Sequence, residues 1–280
     1  MCLANFLGVV LTDVTAQLSW LQAMILGISQ GLTEFLPISS SGHLEIGKAL
    51  FGNQAGAQES LFLTIALHVA TALSTIVVFR KDIFDLLKGL FAFKWNESKT
   101  FSFKILLSMI PAVFVGLFLQ DQIELLFAQN LVLVGAMLCL TAIILFWADK
   151  AKKTDKIVSS KNAVILGFVQ AIAILPGISR SGSTIATAVL LGIDREKAAR
   201  FSFLMVLPLI FGSMAKTLLD VEGISQKIEF LPLLLGFLAA FLTGVVACKW
   251  MITLVKKSQL KYFSLYCLVV GGIALAYGLL

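Results

Sequence analysis

Gln30-Gly31-Leu32-Thr33-Glu34-Phe35-Leu36-Pro37-Ile38-Ser39-Ser40-Ser41-Gly42-His43 recurs, in altered form, as Gln170 followed by Pro176-Gly177-Ile178-Ser179-Arg180-Ser181-Gly182. Gly27 and Gly167, Gln30 and Gln170, Ile38 and Ile178, Ser39 and Ser179, Ser41 and Ser181, and Gly42 and Gly182 are all separated by the same offset in sequence. Only the proline slips, by a single position, where Gly177 is inserted. Both stretches lie in apolar surroundings. Polar side chains and irregular backbone are costly there unless they face a cavity or a ligand. A repeated, proline-broken serine loop therefore predicts a polar ligand at the meeting point of two related halves.

The chain has 280 residues, of which 59% are hydrophobic and 14% charged, with a mean hydropathy of +0.95. Soluble domains carry about 25% charged residues, so this surface cannot face water on all sides and an integral membrane protein is expected. Cys2, Cys139, Cys248 and Cys267 share no paired spacing, which predicts free thiols rather than a disulfide framework or a thiolate metal site. A net charge of +6 could be taken for a nucleic-acid footprint. The placement of the basic residues argues against nucleic acid and for a bilayer.

Stretches long and apolar enough to span fall at about 61–79, 103–119, 131–148, 201–219, 230–250 and 262–280. Four basic groups punctuate them: Arg80 to Lys104, Lys150 to Lys161, Arg195 to Arg200, and Lys249 to Lys261. Together they hold 18 of the 22 basic residues. The intervening loops carry Asp121 and Glu124, or Asp220, Glu222 and Glu229. Positive loops stay cytoplasmic, and this fixes the expected parity. Residues 162–192, apolar and broken at Pro176-Gly177, enter and leave on one side. Segment 20–50, broken at Pro37, re-enters from the other. Each broken segment precedes three spans, an odd number, so the halves are inverted copies. The expected architecture is an all-α integral membrane protein of about six transmembrane helices plus two re-entrant helix-loop-helix segments. Residues 1–19 form an interfacial tail, 20–148 the first repeat and 162–280 the second, within one functional unit over 20–280. Inverted repeats with broken helices meeting near the midplane are common in transporters. The basic stretch 80–104, with Ile83, Phe84, Leu86, Leu87, Leu90 and Phe91 interleaved, reads as an interfacial amphipathic helix.

Arg180 is the residue most telling of chemistry. A guanidinium at membrane depth costs about 2.5–3.5 kcal/mol even on the lenient insertion scale and marks a partner or pathway. With Ser179, Ser181 and Thr184 at a helix N-terminus it makes a cradle suited to phosphate. An ion pair that only tied the halves together would not need the hydroxyls. Gln30 and Glu34, one turn apart, point at the same loop. Glu34 is either a counter-ion for Arg180 or a metal ligand or general base. Ser40, His43 and Glu34 form a plausible unit: Ser40 or His43 attacks phosphorus, or His43 and Glu34 activate a water. His68 either faces the same cavity or bonds a neighbouring helix.

These two motifs, together with Met109-Ile110-Pro111-Ala112 and Arg200-Phe201-Ser202-Phe203-Leu204, resemble those of the bacterial undecaprenyl-diphosphate phosphatases, also called bacitracin-resistance proteins, from about residue 20 to the C-terminus. The resemblance implies hydrolysis of undecaprenyl diphosphate to the monophosphate carrier and inorganic phosphate. It also implies a divalent cation (Mg2+ or Ca2+), the bacterial plasma (inner) membrane, and a part in cell-wall lipid recycling and bacitracin resistance. It assigns Glu34, Ser40, His43 and Arg180 to catalysis, and Ser39, Ser41, Ser179, Arg180, Ser181 and Thr184 to the diphosphate. Glu34 is assigned to the metal, with Gln30 beside it where the motif often has a glutamate. The rival from another class is a transporter or flippase of an anionic polyprenyl phosphate lipid, using the same cradle without chemistry. The oligomeric state is open, a homodimer included.

Overall fold

In a computed structural model, residues 19–43, 57–119, 122, 123, 125, 130–220 and 230–279 are described. Among them helices follow one another in the order α1 (Trp20–Thr33), α2 (Ala57–Val78), α3 (Arg80–Leu90), α4 (Glu97–Phe118), α5 (Leu131–Asp149), α6 (Ser160–Ile172), α7 (Arg180–Leu190), α8 (Arg195–Asp220), α9 (Phe230–Lys256) and α10 (Lys261–Leu279). Among these residues six helices, α2, α4, α5, α8, α9 and α10, are long and apolar enough to cross a membrane, the number expected. The chain is a multi-pass membrane protein. The expected N-terminal tail lies outside the described residues except for Ser19, as do the acidic loop residues Asp121, Glu124, Glu222 and Glu229.

The two broken segments stop where the sequence says they should. Ser19 opens α1 with a capping box, its hydroxyl accepting from the Gln22 amide while the Gln22 side chain accepts from the Ser19 amide. The helix runs 14 residues, about 21 Å, too short to span, and ends ahead of Pro37. In the second half α6 ends at Ile172 and α7 starts at Arg180, with Pro176 and Gly177 between. Gly177 takes φ +91°, where a Cβ would meet the Val134 carbonyl oxygen at 2.5 Å, so only glycine turns the chain there.

Helix pairing follows a pattern of exchange. Helices α1 and α2 both pack on α9 and α6 packs on α4, while α5 packs on α10 and α2 also meets α8. Small residues set the closest crossings, as is usual where lipid removes the hydrophobic drive between helices. A Cβ on Gly27 would collide with the Gly236 carbonyl of α9, and one on Gly167 with the Ser108 carbonyl of α4. These two glycines are matched positions of the repeat. The serine loops are braced by the last span of each half in turn. The Thr141 hydroxyl on α5 accepts from the Ser179 amide at 3.2 Å, and the Cys267 thiol on α10 faces the Pro37 carbonyl at 3.4 Å.

The four basic groups meet at one end of the bundle. Arg200 pairs with Asp82 at 2.6 Å and Lys256 with Glu196 at 2.6 Å. Lys104 donates to the Val158 carbonyl at 2.7 Å and Lys197 to that of Asp155 at 2.8 Å. Arg195 closes α5 by donating to the carbonyls of Ala148, Asp149 and Ala151, and the Asp149 carboxylate accepts from the Leu260 and Lys261 amides at the head of α10. Helix α3 has no fully buried residue: Ile83 and Leu86 pack half-buried against the core, while Phe84, Leu87 and Leu90 are exposed. It is shorter than the 80–104 stretch expected of it, because Asn96 caps a fresh start at Glu97.

Candidate active site

Glu34 is the hub. It follows α1 directly, its amide still bonded to the Gln30 carbonyl, and it is 9% exposed. One carboxylate oxygen, Oε1, takes an ion pair from the Arg180 guanidinium. The other, Oε2, accepts from Ser40 Oγ at 2.8 Å and from Gln30 Nε2 at 3.1 Å. Groups from the two distant halves of the chain thus share one carboxylate, and the two serine loops face each other across it.

Arg180 is the first residue of α7. Ser179 caps that helix, its Oγ accepting from the Gly182 amide at 3.1 Å, which leaves the Arg180 and Ser181 amides at the helix N-terminus without intrahelical acceptors. Arg180 Nη1 is buried with no hydrogen-bond partner, and so is Gln30 Oε1. A buried unpaired guanidinium N–H costs more than an ordinary lost hydrogen bond. Together with the helix N-terminus it is suited to an anion. Glu34 and Arg180 line a small cavity with Phe35, Thr71, Thr75 and Phe203.

The repeated serines do different work in the two loops. Ser39 sits at φ +72°, a left-handed conformation that costs an L-residue about 1–2 kcal/mol. Its Oγ lies 3.3 Å from Ser41 Oγ. In the second loop the inserted Gly177 takes the positive φ, so Ser179 stays extended and becomes an N-cap. Ser41 is exposed and Ser181 buried. Thr184 turns its hydroxyl toward the Arg180 carbonyl at 2.8 Å and Ser202 Oγ at 2.6 Å, inside the packing of α7 on α8.

Of the expected unit, Ser40 and Glu34 meet and His43 does not join them. His43 Nδ1 lies 2.8 Å from the Ser39 carbonyl and Nε2 lies 2.6 Å from the Tyr266 hydroxyl, so both nitrogens are engaged away from Glu34. His68 Nδ1 lies 2.9 Å from the Thr64 carbonyl within its own helix. Sequence reasoning did not single out Thr71, Thr75 or Tyr266. The spacing of His68, Thr71 and Thr75 along one face of the span is the signal for the threonines. Tyr266 offers only its rarity, as one of three tyrosines.

Among the described residues no group of three or more His, Cys, Asp or Glu side chains could hold a metal ion. A hard cation takes oxygen ligands, and Mg2+ is commonly held by one or two carboxylates plus substrate phosphates. Glu34 with the unpaired Gln30 Oε1 fits such a cation.

The family described as "Bacitracin resistance protein BacA" matches residues 23–273. A protein of Christiangramia forsetii named "Undecaprenyl-diphosphatase" is 60% identical over 255 residues, covering 91% of this chain and 97% of that one. A protein of that name from Parabacteroides distasonis is 50% identical over 270 residues, covering 94% and 100%. One from Methanococcus vannielii is 38% identical over 264 residues, covering 92% and 100%. With the motifs, the helical membrane architecture and these matches in agreement along nearly the whole chain, this protein belongs to the bacitracin resistance protein BacA family.

Proposed function

We infer that this chain is an undecaprenyl-diphosphatase, a membrane hydrolase of the polyprenyl phosphoanhydride. One observation carries the reading: a hydroxyl, Ser40 Oγ, bonded to a buried carboxylate, Glu34, that is itself paired with a guanidinium having one N–H free. Nucleophile and base are within hydrogen-bond reach, and the free donor sits beside them for the phosphate oxygens. The relatives' shared name supports the same substrate.

Arg180 binds the terminal phosphate with the amides at the start of α7, and in turning to it releases Glu34 Oε1. Ser40 Oγ forms a bond to the terminal phosphorus while its proton passes to Glu34. The bridging P–O bond breaks, and its electron pair leaves on the polyprenyl monophosphate. Water then displaces Oγ from phosphorus, Oγ recovers its proton from Glu34, and inorganic phosphate departs. Glu34 and Gln30 Oε1 would hold the divalent cation, Mg2+ or Ca2+, which when bound offsets diphosphate charge. The polyprenyl chain stays in lipid.

The chain divides in this reading into two inverted copies, 20–148 and 162–280, placed in the plasma membrane with the basic end cytoplasmic. The exchange of α1–α9 for α6–α4 supports that division. It also favours a second reading, a flippase of the same anionic lipid, since inverted halves suit alternating access. The deciding experiment is phosphate release from purified protein in detergent, with undecaprenyl or farnesyl diphosphate, with and without EDTA, beside Glu34→Ala. Release abolished by both treatments is expected. No release under any cation would leave the serine loops as a binding cradle and move the function to transport.

A further inference from the structure

Tyr266 stands on α10, 223 residues from His43, and its hydroxyl lies 2.6 Å from His43 Nε2. The rings are near parallel, 18° between planes, with centroids 5.6 Å apart. His43 Nδ1 lies 2.8 Å from the Ser39 carbonyl, which also accepts from the His43 amide at 3.3 Å. A carbonyl can only accept, so Nδ1 carries the proton. In the neutral ring Nε2 is then the acceptor, and the Tyr266 hydroxyl donates to it. In the neutral ring the direction of both bonds is therefore fixed.

The chain of contacts ends at the nucleophile. The carbonyl that His43 grips belongs to Ser39, the residue forced to φ +72°. The next residue, Ser40, is placed by that turn with its Oγ 2.8 Å from Glu34. The second loop needs no such brace, because Gly177 supplies the left-handed turn at no steric cost. No histidine stands there: Ser183, which the repeat aligns with His43, has a buried hydroxyl without a partner, and that loop is held instead by the Thr141 hydroxyl at the Ser179 amide.

We propose that Tyr266 is a positioning residue for the reaction: through His43 it holds the left-handed Ser39 turn that sets Ser40 against Glu34. The proposal rests on the reading of Ser40 and Glu34 as the reacting pair. It gives His43 its effect through the turn it braces and not through a proton taken from Ser40.

The test is a double-substitution cycle on phosphate release from farnesyl diphosphate in detergent. Tyr266→Phe removes the hydroxyl alone, and one lost hydrogen bond corresponds to about a tenfold fall in kcat, with KM little changed. Ser39→Gly removes the steric cost of the turn, so in that background Tyr266→Phe costs less than twofold. Equal losses in both backgrounds, or a Tyr266→Phe protein as active as the parent, would overturn the proposal. Ser40→Ala is run alongside. If it stays active, the reacting pair is wrong, which is a separate failure from that of Tyr266. Nitrogen-15 NMR of histidine-labelled protein in a His68→Asn background gives a readout independent of activity. Nε2 is expected unprotonated in the parent and shifted by Tyr266→Phe; a protonated Nε2 in the neutral ring would sink the assignment.

Discussion

Arg180→Ala separates what the ion pair does for stability from what the guanidinium does for the reaction. Removing the guanidinium leaves the Glu34 carboxylate, 9% exposed, with hydrogen bonds from Ser40 and Gln30 but no countercharge. Breaking a buried pair from one side costs about 3–5 kcal/mol. Arg180 is itself partly open, at 18%, so the lower end, about 3 kcal/mol, applies. At about 2 °C per kcal/mol for a chain of this size, unfolding in detergent is expected about 6 °C lower than in the parent. Glu34→Gln combined with Arg180→Met removes both charges while keeping much of their volume. That double variant is expected to recover most of the lost stability, because no charge is left buried. Its activity should stay at least about a hundredfold down, the usual consequence of losing a transition-state donor. Thermal unfolding followed by tryptophan fluorescence, with phosphate release on the same samples, reads both quantities. If Arg180→Ala unfolds at the parental temperature, or the double variant is no more stable than the single, the pair is not the buried contact described here.

The remaining expectations concern packing, the turn and the cation. Gly27→Ala drives a methyl into the Gly236 carbonyl, whereas Gly116→Ala meets nothing within 4 Å. The first should lose about 1–3 kcal/mol and the second gain up to about 1 kcal/mol from helix propensity, seen as opposite shifts in unfolding temperature. Gly177→Ala places a Cβ at positive φ and 2.5 Å from the Val134 oxygen. It should cost about 1–3 kcal/mol and lower the rate by misplacing Arg180 three residues on. Gln30→Glu puts a second carboxylate beside Glu34 and should lower the cation concentration giving half-maximal phosphate release; an unchanged titration would remove Gln30 from the cation site.

Sequence alone determined the class of this protein, because hydropathy and charge placement report directly on solvent. Six spans and four basic groups were legible, and the basic groups do meet at one end. The breaks at Pro37 and Pro176-Gly177 were equally legible, since proline and glycine act on the backbone locally. The pairing of Arg180 with Glu34 was legible only as one alternative, beside a metal-ligand or general-base role for the carboxylate. The family motifs added the residues around it.

Only the tertiary structure decided which polar groups touch. Ser39 and Ser179 look equivalent in the sequence, yet the extra Gly177 takes over the left-handed turn in one loop and leaves it to Ser39 in the other. One serine becomes a helix cap and the other a strained corner. His43 reads as a partner for Ser40 from its spacing, but an imidazole goes where its donor and acceptor are both met. Here that is the Ser39 carbonyl and a tyrosine on the last span. Hydrogen bonds between distant helices depend on ångström-scale placement that no local pattern encodes, so spacing could nominate these residues but could not pair them.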